Sequence, residues 1–168
     1  MKVEPRNINL LQYQKPSAQN TQNTQSEADK MKIIEERKKN PELDKMMYDK
    51  ELAEIQQNHR RTEQLAKKIA TGKEITPEER EFLEKNNPEM IKRAEDAKRQ
   101  AEQLKEKLKN ASSKQEAQAL IMNSMDRISK IAKYEEVTAD IFRSAFSEVV
   151  KDYNSGKLDE EKKKGKIS

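Results

Sequence analysis

Apolar residues are sparse along this chain, yet they return at helical spacing for most of its length. Tyr48, Leu52, Ile55, His59, Thr62, Ala66 and Ile69 follow one another in alternating steps of four and three. Met90, Ala94, Ala97, Ala101, Leu104 and Leu108 repeat the alternation. Heptad spacing of this kind puts one narrow apolar seam on each helix and suits a short coiled coil. The second seam is rich in alanine, and small side chains let helix axes approach closely. The pattern predicts an all-α protein: an elongated antiparallel helical hairpin or small bundle with coiled-coil-like seams.

Polar punctuation places the helix ends. Ser26, with Asp29 three positions on, opens a first helix that closes on the basic run Arg37-Lys38-Lys39. Asn40-Pro41-Glu42 starts a second, because asparagine caps, proline needs no partner for its missing N–H, and glutamate faces the positive end of the helix dipole. That helix should run to Thr71 and end on Gly72. Thr76-Pro77-Glu78-Glu79 reads as a capping box with proline at its preferred place, and it opens a short helix to Asn86. Asn87-Pro88-Glu89 starts the next helix, which runs to about Asn110, and Ser113 with Glu116 opens the last. The last stretch should reach Asn154 and stop at Gly156, with a bend near Glu135 and Glu136 where the apolar period slips.

This last helix carries a broader apolar arc than the others, including Ile141, Phe142, Phe146 and Val149. A broad arc either sits at the centre of a bundle or meets another molecule. Those four residues are therefore candidate partner-binding positions as well as candidate core. A second candidate lies near the N-terminus. Ile8, Leu10, Leu11 and Tyr13 form a small apolar cluster ahead of the uncharged polar tract 17–26, the arrangement of a tethered docking motif. Residues 1–25 are read as a disordered tail bearing that motif, 26–154 as the helical domain, and 155–168 as a disordered charged tail.

Composition narrows the function classes. The chain has 168 residues, of which 39% are charged and 32% hydrophobic, with no cysteine and no tryptophan. Such a chain can line thin seams but cannot fill a thick core. Its net charge of +4 is spread along the sequence, whereas a nucleic-acid surface concentrates basic groups on one face. Without cysteine there are no disulfides and no thiolate metal sites. No apolar run suits a membrane span and no signal-peptide core follows Met1, so a cytoplasmic protein is expected.

Candidate chemistry is thin. His59 is the one histidine and sits on a seam, with no cysteine or carboxylate at metal-ligand spacing. There is no glycine-rich phosphate loop, EF-hand pattern or nucleophile elbow, and the glutamates alternate with lysine and arginine as on a solvated helix face. No catalytic, cofactor-binding or metal residue is assigned, and an enzyme is not expected.

Gly72-Lys73-Glu74-Ile75-Thr76-Pro77-Glu78-Glu79, with Phe82-Leu83 and Asn87-Pro88-Glu89-Met90 after it, resembles a small helix-turn-helix module of uncharacterised helical proteins of Gram-positive bacteria. The resemblance covers a short part of the chain and implies consecutive capped helices. It implies no function. The reading from sequence is a non-enzymatic helical adaptor, assembly or chaperone-like protein that acts on protein partners, with a homo-oligomer as one form. A nucleic-acid-associated basic protein, and a secreted or phage-associated helical component, are the alternatives.

Overall fold

The computed structural model describes residues 26–165. The Ile8 to Tyr13 cluster lies outside the described residues. Those described form seven helices and no strand: α1 (Glu27–Lys39), α2 (Pro41–Ala70), α3 (Pro77–Asn86), α4 (Pro88–Asn110), α5 (Lys114–Ala132), α6 (Glu136–Asn154) and α7 (Lys157–Gly165).

Local chemistry sets most of the boundaries. The Ser26 hydroxyl accepts the Asp29 N–H at 3.2 Å, and the Asn40 side chain accepts the Leu43 N–H at 3.2 Å. At α3 the capping box is complete: Glu79 N–H donates to the Thr76 hydroxyl at 3.2 Å, and Thr76 N–H donates to the Glu79 carboxylate at 3.0 Å. Asn87 closes α3 through its N–H and caps α4 through its side chain, so one residue serves two helices. At α5 the box is shifted. Ser113 accepts the Glu116 N–H, while the Glu116 carboxylate reaches back to the N–H and hydroxyl of Ser112. Gly72, at φ +76°, ends α2 in the left-handed region that glycine tolerates best. Its N–H donates to the Ile69 carbonyl and the Lys73 N–H to that of Lys68, satisfying two carbonyls at the helix end.

The described residues fall into two units, 26–49 and 50–165. In the first, Ile33 and Arg37 of α1 and Leu43 and Met47 of α2 are half-buried, and nothing is fully buried. Arg37 Nε lies 2.7 Å from Asp44 Oδ1. In the second unit α6 is central. It packs on α4, α5 and α7, most extensively on α4. Ala94 and Ala97 of α4 and Ala139 of α6 have no exposed surface, and Ala101 and Ala145 very little. Side chains of this size let the two axes close up. Ala66 and Ala70 of α2, Ala117 of α5, and Met90, Leu104, Leu108, Ile128, Ile141, Phe142, Phe146, Val149 and Leu158 complete this cluster. A smaller cluster joins Leu65 of α2, Leu83 of α3 and Ile91 of α4, and the Arg61 guanidinium stacks 4.2 Å above the Phe82 ring. Every fully buried side-chain nitrogen or oxygen among the described residues has a hydrogen-bond partner. Thr62 donates to the Asn58 carbonyl, and Thr138 bonds both Glu135 and Arg93.

Three sequence expectations are corrected here. The alanine seam of α4 faces α6, and α2 does not run back along it as a hairpin. Heptad spacing shows that a seam exists but not which helix fills it, and α6 brings Ile141, Phe142, Phe146 and Val149 into the same buried cluster. The bend near Glu135 is a full break: α5 ends at Ala132 and α6 turns back onto it. The broad arc was thus two separate stripes on two helices. Finally, 157–165 is helix rather than a disordered tail, because Leu158 is buried against α4 and α6. A nine-residue helix is marginal in water on its own, and that docking supports it.

Candidate interaction surface

Among the described residues no group of three or more histidine, cysteine or acidic side chains is placed to hold a metal ion, and His59 is exposed. No helix there is long and apolar enough to cross a membrane. A shallow groove of about 510 Å³ lies between α4 and the α5–α6 turn, floored by Ile131 and Phe142 and edged by Arg93 and Arg127. Its two arginines are already engaged: Arg93 bonds Thr138 and Glu135, and Arg127 bonds Gln100.

The partner positions expected on the last helix are not surface. Ile141, Phe142, Phe146 and Val149 are 0, 5, 4 and 8% exposed, and the Phe142 and Phe146 rings lie 6.2 Å apart in the core. Packing against α4 and α5 consumes the stripe that would have met a partner.

Exposed apolar surface lies instead on α2. From Pro41 to Arg61 the helix buries no residue, and its first buried side chain is Thr62. Yet the seam is present: Tyr48, Leu52 and Ile55 are 46, 40 and 52% exposed. From Leu52 to His59 the helix carries one charged residue, Glu54, in a chain that is 39% charged. Loss of charge around large apolar groups is the composition of an interface centre. The sequence showed the whole seam but gave no sign that, among the described residues, its end at Thr62, Ala66 and Ile69 would be packed and its start left exposed.

A second contact that sequence reading missed holds α7. Glu161 Oε2 lies 2.9 Å from both Lys105 Nζ and Lys109 Nζ on α4, and Lys162 Nζ donates to the Lys109 carbonyl at 2.6 Å. The two lysines, Lys109 foremost, hold the Glu161 carboxyl down from its ordinary 4.5 to about 2. Lys109 is correspondingly raised, by Glu161 first. A carboxyl depressed in the docked state stabilises docking at pH above its free value and loses that effect as the pH falls through its docked value. α7 should therefore loosen between pH 4.5 and about 2. NMR of the Leu158 methyls across that window checks this, with Glu161→Gln as the reference that should remove most of the dependence. An equal dependence in the variant would assign it to other carboxylates.

Comparison with protein-family models, with curated proteins and with solved structures finds no match.

Proposed function

We propose that this chain is a non-enzymatic helical adaptor or assembly protein that acts by protein–protein contact, and that α2 supplies the contact. One observation carries the reading. A helix with heptad-spaced apolar residues leaves Tyr48, Leu52 and Ile55 in solvent while its last turns pack normally. The described residues leave this regularly spaced apolar row about half exposed, and an amphipathic helix laid along it would remove it from water.

The test is a pair of charges in the seam. Leu52→Glu with Ile55→Glu should leave helicity and the melting midpoint unchanged, because neither side chain is buried. Recovery of interacting proteins from host lysate by the full-length chain should fall at least tenfold. Undiminished recovery by the double variant would remove α2 from the contact.

A further inference from the structure

The helix α7 is attached to the unit by few contacts. All of its residues except Leu158 and Gly165 are charged, and Leu158 is its one buried side chain among those described. The helices that carry it, α4 and α6, bury a whole stripe each. Its remaining ties lie at the rim and involve charge: the Glu161 carboxylate sits between Lys105 and Lys109, and Lys162 bonds the Lys109 carbonyl. Only Ser155 and Gly156 join it to α6, with Gly156 at φ +78° as the corner. Segments with little buried apolar surface open before the rest of a fold, and salt weakens exposed ion pairs further.

The seat is also larger than its occupant. Beside α7 an open hollow of about 490 Å³ is lined by Leu108, Ala111 and Tyr153, with Lys109, Lys114 and Lys162 against a single acid, Asp159. From α7 the hollow receives Gly156, Asp159 and Lys162, none of them apolar, and Ala111 and Tyr153 stay half-buried.

We infer that α7 is a displaceable cover, and that the groove it occupies on α4 and α6 takes an acidic amphipathic helix of a partner protein in its place. The inference stands apart from the contact on α2. What the occupant must offer is shown by α7 itself: a leucine that enters the core and, three residues on, a glutamate that meets two lysines one turn apart on α4. A partner helix with an apolar residue where α7 has Asp159 would also cover Ala111 and Tyr153. With α7 out, Lys105, Lys109 and Lys114 select acidic over basic helices. A tethered helix competes at an effective concentration on the order of millimolar, so a partner needs those added contacts to displace it.

Amide exchange of the full-length chain tests the cover. The amides of 161–165 should exchange about tenfold or more faster than those of α6, and faster still at high salt. Leu158→Ser should widen the difference while leaving α6 protected. Glu161→Gln, which leaves the core untouched, should act the same way in smaller measure. Exchange of α7 and α6 at one common rate, or loss of α6 protection in Leu158→Ser, would make α7 an integral part of the fold and overturn the inference. The groove is tested with a synthetic peptide of residues 155–165 carrying Asp159→Leu, Lys162→Glu and Lys163→Glu, with a hydrocarbon staple in place of Glu160 and Lys164 to remove the cost of ordering. Followed by NMR shifts of α4 and α6, it should bind the Leu158→Ser chain about tenfold more tightly than the parent, and its Glu161→Lys version should bind neither. Equal binding to both chains, no binding to the released one, or indifference to Glu161→Lys would refute the groove as the seat of an acidic helix.

Discussion

Replacing Ala97 and Ala101 together with glutamate is expected to abolish the cooperative fold of residues 50–165. Ala97 has no exposed surface and Ala101 is 5% exposed, and both lie in the stripe that brings α4 onto α6. Two carboxylates there meet no assured cation and no space. The desolvation penalty of a buried charge is several kcal/mol per ion, while a whole domain is stable by about 5–15 kcal/mol. Two such charges are enough to exhaust it. Circular dichroism on heating should show a broad, early loss of signal in place of a single transition. Lys98→Glu, one position along on the exposed face, is the control and should shift the midpoint little. If the double variant melts like the parent, the alanine stripe faces solvent and the α4–α6 pairing is wrong.

Phe146→Ala should destabilise the same unit by about 3–5 kcal/mol, the range for removing a buried phenylalanine. The side chain is 4% exposed and packs beside Phe142. Phe146→Leu should cost less, because leucine refills part of the space. The pair of variants also separates two roles that sequence left open for this residue. As core, Phe146 lowers the denaturation midpoint in both variants and affects partner recovery only through unfolding. A midpoint unchanged by Phe146→Ala, with recovery lost, would return the residue to the surface.

Some ion pairs show how far local pattern reaches. Glu63 and Lys67 form the bridge that their four-residue spacing suggests, at 2.7 Å. Glu89 and Arg93 have the same spacing, but Arg93 turns to Glu135 and Thr138 across the unit and Glu89 takes Lys92. Arg99 takes Asp96 rather than Glu95. A spacing rule that contributes about 0.2–0.5 kcal/mol per pair yields readily to a tertiary partner that offers a part-buried hydroxyl and a carboxylate together.

Pattern alone determined that this chain is helical and where most helices start and stop. Ser26, Asn40, Thr76, Asn87 and Ser113 each cap a backbone N–H three positions on, and Gly72 closes α2 through bonds spanning a few residues. Such contacts are complete within one turn and need nothing else from the fold. Only the tertiary structure decided which seam meets which. Ala97 faces α6 instead of α2, the final arc splits at Glu135 into two packed helices, and the charged segment after Gly156 folds because Leu158 finds a pocket and Glu161 finds Lys105. Lys105 and Glu161 are 56 residues apart, and their meeting depends on the packing of α7 on α4 and α6. The same selection left Leu52 and Ile55 about half exposed among the described residues. Heptad spacing specifies a seam by its period, while occupancy depends on which surfaces compete for it, and that competition is settled between helices distant in sequence.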